Sequence, residues 1–302
     1  MAERGTVALT GATGFVGRRL VRALAERGTP MRFLVRHPAA DLPAEGERVV
    51  CDLDADTPVS PDLFEGCDAF VHLAARLPAR AGEIEEAEQC WRVNALGTLR
   101  LVDAAIAAGV HRIVQTGSAN AYRHTLDRAD EEAPLEAGTR GAYYLASKIA
   151  QESYAAARVA QSDAALVTLR LSSVYGAGEG GGLLRTMARR LLAGEPVEMV
   201  NGGRFAADFV HVDDVVTALL LALDGRVVGP VNVASGERRT LREAIDLLVG
   251  ATGADPALVE AVTRDDDPPG LPGIDIARAR SLGFDPRGLD AGIERLVSAL
   301  RS

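Results

Sequence analysis

The chain has 302 residues, of which 47% are hydrophobic and 25% charged, and its formal net charge is -9. This length suits one large domain or two unequal lobes, and the negative charge disfavours non-specific binding to nucleic acid. No apolar run approaches the roughly 20 residues of a membrane helix, and the first residues, MAERGTVALT, lack the layout of a signal peptide, which predicts a cytoplasmic protein.

Strand-like runs alternate with alanine-rich helical stretches along the first 120 residues. In chain order they are TVALT, the helix FVGRRLVRALAERG, MRFLVR, RVVCDL, AFVHLAA, the helix NALGTLRLVDAAIAAG and RIVQTGS. VTLRLSSVYG and PVNVASG read as further strands. This alternation predicts an α/β fold of the Rossmann type, with a doubly wound parallel sheet and a smaller C-terminal substrate-binding lobe.

The predicted domain bounds follow from two irregular segments. GAGEGGG (176–182) is dense in glycine, and RDDDPPGLPG (264–273) combines acids with prolines, so both read as loops. We expect a dinucleotide-binding domain over 1–175, to which 208–235 returns, and a substrate-binding lobe over 176–207 and 236–302. The crevice between the two is the expected ligand site.

The first candidate site is the glycine-rich turn TGATGFVG (10–17), which follows a strand pattern and opens a helix. Gly11 permits the tight turn, Gly14 lets a pyrophosphate approach the backbone, and Gly17 lets the helix pack on the strand. The helix then offers its first amides and the positive end of its dipole to the phosphates. The turn, including Thr13, Phe15 and Val16, is therefore predicted to bind a dinucleotide.

The end of the second strand predicts which dinucleotide binds. About 20 residues beyond the glycines, an NAD site usually carries an acid that binds the ribose 2′-hydroxyl. This chain has Arg36 there. A guanidinium can pair with the 2′-phosphate of NADP, so NADP(H) is the preferred cofactor and NAD(H) the alternative.

Lys148 is the only lysine among 33 lysine and arginine residues, and it lies in GAYYLASK. Tyr144 stands four positions earlier, so the two side chains share a helix face. An ammonium near a phenol lowers the phenol's pKa and equips it for proton transfer. The strand RIVQTGS carries Thr116 and Ser118 to the sheet edge where ligands bind.

Cysteine and histidine patterns give no sign of a metal site or a disulfide. Cys51, Cys67 and Cys90 are odd in number and scattered, which indicates reduced, packed thiols. His72, His111 and His211 lack the spacing of metal ligands. We therefore expect no bound metal.

Taken together, these motifs resemble the extended short-chain dehydrogenase/reductases, a family of nucleotide-sugar epimerases, reductases and dehydratases. The resemblance spans nearly the whole chain: TGATGFVG, CDL (51–53), HLAA (72–75), NALGT (94–98), TGSANAY (116–122), YYLASK, RLSSVYG (170–176), DFVHVDDV (208–215), VNVASG (231–236) and LGFDP (282–286). It implies a homodimer.

The resemblance also implies roles for individual residues. Ser118, Tyr144 and Lys148 would be catalytic, and Lys148 would also hold the nicotinamide ribose. The implied cofactor contacts are Asp52 and Leu53 beside the adenine, Leu73, Ala74, Ala75 and Asn94 along the cofactor, and Ser172 near the nicotinamide. Thr116 and Tyr144 are also predicted to contact the cofactor. The predicted substrate contacts are Ser118, Asn120, Ser173 and Arg204.

Departures from the family pattern narrow the function. The similar 4,6-dehydratases carry Asp-Glu directly after the catalytic hydroxyl residue, where this chain has Ala119 and Asn120, so neither a dehydratase nor a decarboxylase is expected. Ser173 and Ala207 stand where many nucleotide-sugar enzymes have an asparagine and a phosphate-binding arginine, and Arg204 could substitute for that arginine.

Four functions therefore stay open. The leading prediction is an NADP(H)-dependent reductase of a nucleotide-linked 4-keto-6-deoxysugar, because Arg36 indicates a dissociable NADPH. The alternatives are an NAD-dependent nucleotide-sugar 4-epimerase, a reductase of a non-nucleotide ketone from secondary metabolism, and a non-enzymatic protein that senses NADP. The last would typically lack the tyrosine or the lysine, and this chain keeps both.

Overall fold

The structure is a computed structural model that describes residues 5–37, 41–43, 46–55, 57–79, 83–138, 141–265 and 270–301. Its helices are α1 (Phe15–Glu26), α2 (Ile84–Cys90), a π-helix (Trp91–Leu96), α3 (Gly97–Ala107), α4 (Ala142–Val159), α5 (Gly182–Leu192), α6 (Val212–Asp224), α7 (Leu241–Thr252), α8 (Ala277–Ser281) and α9 (Leu289–Arg301). No helix in these ranges is long and apolar enough to cross a membrane.

The strands are short, and most are buried along one or both faces. They are β1 (Thr6–Thr10), β2 (Met31–Val35), β3 (Glu47–Val50), β4 (Cys67–His72), β5 (Arg112–Ser118), β6 (Arg128–Ala129), β7 (Ala165–Leu171), β8 (Ser173–Tyr175), β9 (Val197–Val200), β10 (Ala206–His211), β11 (Gly229–Val233), β12 (Arg238–Thr240), β13 (Val259–Val262) and β14 (Gly273–Ile274).

Seven of these strands form one sheet in the order β11-β7-β5-β4-β1-β2-β3. β1 pairs in parallel with β2 on one side and with β4 on the other. The strand order therefore reverses at β1, which is the topological switch point where open α/β sheets bind ligands. The α/β fold of the Rossmann type that the sequence predicts is confirmed.

By internal contacts the chain divides into two compact units. Unit 1 comprises Met1–Ala121, Leu135–Arg170 and Ala218–Val231. Its core includes Phe64, Phe70, Leu101 and Ile113, all fully buried. Phe64 and Phe70 meet edge to face with their ring centroids 5.0 Å apart, a favoured geometry for aromatic pairs.

Unit 2 comprises Tyr122–Pro134, Leu171–Thr217 and Asn232–Ser302. It contains a three-stranded sheet in the order β12-β10-β8 and two strand pairs, β13-β9 and β14-β6. Its core packs α5, α7 and α9 around Leu184, Ile245 and Leu296. This unit carries most of the C-terminal half of the chain.

The sequence expectation differs from the structure at VTLRLSSVYG, which divides at Ser172 into β7 and β8. β8 pairs with β10 rather than with the central sheet, and for that reason 208–217 belongs with unit 2. β11 alone brings part of 208–235 into the seven-stranded sheet. The predicted bounds of the folding domains stay a prediction, and residues 266–269 of the second predicted loop lie outside the described residues.

Candidate active site

The glycine-rich turn between β1 and α1 is shaped by close backbone contacts. Gly11 has φ +70°, and a Cβ added there would lie 2.7 Å from the amide nitrogen of Ala74. A Cβ on Gly17 would lie 2.0 Å from the carbonyl oxygen of Gly11. Side chains at both positions are therefore excluded by the chain itself.

Gly14 is less restricted by its surroundings than Gly11 and Gly17. Its added Cβ would come no closer than 3.2 Å to another atom, the carbonyl oxygen of Gly11, and the residue is exposed. As the N-cap of α1 it supplies no side-chain hydrogen bond, and no acid lies in the first turn. The start of α1 therefore suits an anion, which the amides and the helix dipole would bind.

A cavity of about 620 Å³ opens beside this turn. Nine of the predicted cofactor residues line it: Gly11, Thr13, Gly14, Arg36, Asp52, Leu53, Leu73, Ala74 and Ala75. The other predicted cofactor residues are outside this lining, with Phe15, Val16 and Gly17 in the first turn of α1, Asn94 in the π-helix, Thr116 on β5, Tyr144 and Lys148 on α4, and Ser172 after β7. The cavity and its lining fit a dinucleotide.

Arg36 directly follows β2 and lines this cavity. It is exposed, and it forms no hydrogen bond or ion pair among the residues the structure describes. Asp52, a charged residue that lines the same cavity, differs in this respect, because its carboxylate accepts a hydrogen bond from the amide of Asp54 at 3.0 Å. The lining of the cavity therefore includes a guanidinium that has no hydrogen-bond or ion-pair partner among the described residues.

Sequence reasoning missed several residues of the lining, among them Arg76. Its guanidinium forms an ion pair with the buried Glu86 of α2, with Nη2 3.1 Å from Oε2, while its Nε is buried without a hydrogen-bond partner in the described structure. No motif predicts this pair, because its partners are ten residues apart and only the course of the backbone brings them together.

Ser118, Tyr144 and Lys148 lie on two elements that pack against each other. Ser118 ends β5, and α4 carries Tyr144 and Lys148 one helical turn apart. Gln151 of α4 donates a hydrogen bond to the carbonyl oxygen of Thr116 at 3.2 Å, which ties the helix to the end of β5. The Ser118 hydroxyl and the Tyr144 phenol form no hydrogen bond among the described residues.

The acid strengths of the tyrosine and the lysine differ from the sequence expectation. Burial, with a smaller effect of the Cys90 thiol, raises the pKa of Tyr144 to about 12. Burial lowers the pKa of Lys148 to about 7, although Glu152 acts in the opposite direction. The expected lowering of the phenol's pKa by the ammonium is absent, because desolvation disfavours both charged forms.

A buried hydrogen-bond chain joins the cofactor cavity to the π-helix through His72. The Thr98 hydroxyl donates to the carbonyl oxygen of Asn94 at 2.6 Å and must therefore accept from His72 Nε2 at 2.7 Å. Burial and the charge of Lys148 lower the pKa of His72 to about 3, so the ring is neutral. His72 Nδ1 then accepts from Thr10 Oγ1 at 2.6 Å.

Asn94 is fully buried in the π-helix. Its Oδ1 accepts from the amide of Arg76 at 2.7 Å, and its Nδ2 donates to Arg76 O at 3.0 Å and to Ser147 Oγ at 2.9 Å. Ser147 in turn donates to the carbonyl oxygen of Tyr144 at 2.7 Å. The Asn94 amide therefore links the cavity wall to α4, and its predicted contact with a cofactor stays a prediction.

The predicted substrate residues occupy three places. Asn120 lies in the short 3₁₀ turn after β5, Ser173 begins β8, and Arg204 is exposed directly after the 3₁₀ turn Asn201–Gly203. Ser172, between β7 and β8, is 7% exposed, and its Oγ has no hydrogen-bond partner in the described structure. A buried hydroxyl without a partner costs about 1–3 kcal/mol, which suits a residue that meets a polar ligand.

Comparison with known proteins places this geometry in a family. The model of the NAD dependent epimerase/dehydratase family matches residues 7–234. A 3-diazoavenalumate denitrifying reductase from Streptomyces sp is 32% identical over 83% of this chain and 82% of its own length. The dTDP-6-deoxy-L-talose 4-dehydrogenase (NAD(P)(+)) of Kitasatospora kifunensis is 32% identical over 93% of this chain and 91% of its own.

A solved structure shows the same fold over nearly the whole length. MoeE5 in complex with UDP-glucuronic acid and NAD matches with a TM-score of 0.84 and 30% identity, and the match covers 98% of this chain and 99% of MoeE5. Other relatives in sequence are named as reductases and epimerases of nucleotide sugars.

Proposed function

The chain belongs to the NAD-dependent epimerase/dehydratase family and is an NAD(P)-dependent enzyme, and we propose that it uses NADPH to reduce the keto group at C4 of a nucleotide-linked 4-keto-6-deoxysugar. The observation that carries this proposal is Arg36, an exposed and uncommitted guanidinium in the lining of the cofactor cavity. The relative from Kitasatospora kifunensis, a dTDP-6-deoxy-L-talose 4-dehydrogenase (NAD(P)(+)), supports the substrate class.

Three residues carry the proposed chemistry. The nicotinamide, when bound, supplies the hydride. Tyr144 donates the proton to the substrate oxygen, and its pKa of about 12 keeps it protonated at neutral pH. Ser118, at the end of β5, donates a hydrogen bond that orients that oxygen. Lys148 holds the ribose, and its amine offsets the negative charge that develops on the phenol as Tyr144 gives up its proton.

The cofactor preference is tested by titrating stripped protein with NADPH and with NADH. Wild-type protein should prefer NADPH, and Arg36→Ala should weaken NADPH binding about ten- to 150-fold, the equivalent of one charge-assisted hydrogen bond. NADH binding should change little, because it has no 2′-phosphate. Arg22→Ala, which removes another exposed arginine from α1, is the matched control and should leave both affinities unchanged.

The redox step is tested by NADPH oxidation with dTDP- and UDP-linked 4-keto-6-deoxysugars. Tyr144→Phe should abolish turnover while NADPH still binds, because it removes only the proton donor. Tightly held NAD in the purified protein, with no preference for NADPH, would refute the proposal and favour a 4-epimerase. NADPH binding without turnover of any ketone would instead indicate a sensing protein.

A reductase of a non-nucleotide ketone is the second candidate, because two positions lack the side chains that would bind a diphosphate. Ala207 is fully buried in β10 and Ser173 begins β8, where many nucleotide-sugar enzymes have arginine and asparagine. The 3-diazoavenalumate denitrifying reductase is a relative of comparable identity whose substrate name contains no nucleotide. Turnover of aryl or polyketide ketones, with none of the nucleotide sugars, would establish this candidate.

A further inference from the structure

We propose that Gln151 is the positioning residue of Lys148, whose amine it holds through a neutral side-chain acceptor so that the amine is ordered before any cofactor binds. The inference extends the proposed function, because the importance of an ordered amine rests on the proposed role of Lys148. The hydrogen bond itself does not depend on that role.

The two side chains meet inside the protein. Lys148 is 3% exposed and Gln151 1% exposed, and they stand three positions apart on α4, which brings them to the same face. Lys148 Nζ donates to Gln151 Oε1 at 2.5 Å. The amine therefore has a defined partner in a place that water does not reach.

Gln151 cannot turn its amide over, because its neighbours fix which end faces the lysine. Its Nε2 donates to Thr116 O and to Gln115 Oε1, both at 3.2 Å. A backbone carbonyl only accepts hydrogen bonds, so the NH₂ group must face Thr116 and the oxygen must face Lys148. The Gln115 amide is oriented in turn, because its Oε1 must accept from Gln151 Nε2, which leaves its Nε2 to donate to Thr168 Oγ1 at 2.9 Å.

The neutral Gln151 amide, and not a charged group, is the hydrogen-bond partner of the amine. Glu152, the next residue along α4, is engaged by Arg170, whose Nη2 lies 2.5 Å and whose Nε lies 3.1 Å from its oxygens. It raises the pKa of Lys148 less than burial lowers it. His72 at the end of β4 also interacts with the ammonium and stays neutral.

The remaining titratable groups on this face are a phenol and a thiol. Tyr144 of α4 and Cys90 of α2 interact with each other, and burial raises the pKa of both, so both are uncharged at neutral pH. A carboxylate in place of the Gln151 amide would keep the lysine charged and bound to it. The amide instead orders the amine and can release it to another acceptor at a lower cost.

The single lysine makes a direct test possible. Protein grown on lysine labelled with ¹³C at Cε has one lysine signal, so Lys148 can be titrated by NMR in the cofactor-free protein without assignment. Gln151→Glu should raise the pKa of Lys148 by about 1–3 units, as an opposite charge at this range does. Gln151→Met, which keeps the length but removes the acceptor, should lower it.

Gln161→Glu is the matched control. It makes the same change at an exposed position two residues past the end of α4. The position is about 20 Å along the helix axis from Lys148, which is beyond the screening length of physiological salt. It should leave the lysine titration unchanged. An unchanged titration in folded Gln151→Glu and Gln151→Met proteins would overturn the proposal.

The wild-type protein provides a second measurement in case the Gln151 variants do not fold. A nuclear Overhauser contact between the lysine Cε protons and the Gln151 side chain is expected without cofactor, and its absence would also overturn the proposal. Titration with NADPH separates the two hypotheses. Shifted lysine titrations without NADPH binding would support the positioning role of Gln151 and refute the proposed function. NADPH binding with unshifted titrations would refute the role of Gln151 and leave the proposed function standing.

Discussion

The glycine-rich turn and the buried face of α4 belong to the same candidate site but are built by different means. In the turn, the absence of side chains decides the geometry, since a Cβ on Gly17 would lie 2.0 Å from a carbonyl oxygen. On α4, burial lowers the pKa of Lys148, and hydrogen bonds among buried polar side chains hold its amine in place. Substitutions in the turn should therefore disrupt its backbone geometry. Substitutions on α4 should instead change the proton affinity of Lys148 while the protein still folds.

The largest effect is expected at Gly17. Gly17→Leu places atoms where the backbone already lies, and it should lower the free energy of unfolding by about 4 kcal/mol or more and abolish cofactor binding. Urea unfolding and NADPH titration measure the two losses.

Gly250→Leu is the control for that substitution. Gly250 also lies in a helix, α7, but an added Cβ there meets no atom within 4 Å. This variant should be neutral or more stable by about 0.5–1 kcal/mol, because a helix favours leucine over glycine. Equal losses in the two variants would mean that packing does not explain the turn.

The next effect concerns the pH dependence caused by Lys148. Its pKa falls from 10.5 to about 7 on folding, so below pH 7 the folded protein bears the full cost of a buried charge. Above pH 7 the native lysine loses its proton before the unfolded one does, and that cost is relieved. Between pH 7 and 10, wild-type protein should gain about 3 kcal/mol in stability relative to Lys148→Met.

Urea unfolding of both proteins across this pH range measures the gain. Because the other titrating groups are common to both, the difference between the two curves isolates the lysine. Parallel curves would show that Lys148 titrates normally and that burial does not set its proton affinity.

The smallest effect is expected from His72 in mildly acidic solution. Its pKa falls from 6.5 to about 3 on folding, so the unfolded chain takes up a proton that the folded protein does not. Stability should therefore fall as the pH drops, by about 1.5 kcal/mol between pH 6.5 and 5. His72→Gln should lack this part of the slope, and an identical slope in both proteins would contradict a neutral His72.

The features that the sequence predicted correctly are those that short motifs encode. TGATGFVG joins the end of β1 to the start of α1, MRFLV forms β2 and is followed by Arg36, and YYLASK lies on α4. Each depends on the local backbone and on a fixed spacing, and for this reason the sequence predicted the fold and nine of the residues that line the cavity.

The features that the sequence did not predict depend on contacts between distant segments. Gln151 reads as one more polar residue of α4 until Gln115 and Thr116, about 35 residues earlier, are seen to fix its amide. The fall in the pKa of Lys148 follows from burial that no motif expresses. The division of VTLRLSSVYG at Ser172 depends on β10, which pairs with β8.

The π-helix between α2 and α3 constrains the number of residues in this segment more strictly than an ordinary α-helix would. Wider winding over Trp91–Leu96 accommodates extra chain within a continuous helical run. Deleting one residue there could restore α-helical winding but would turn Asn94 by about 100° relative to one of its flanking helices. Lineages that carry the Asn94 links to Arg76 and Ser147 should therefore tolerate substitutions in this segment far better than changes in its length.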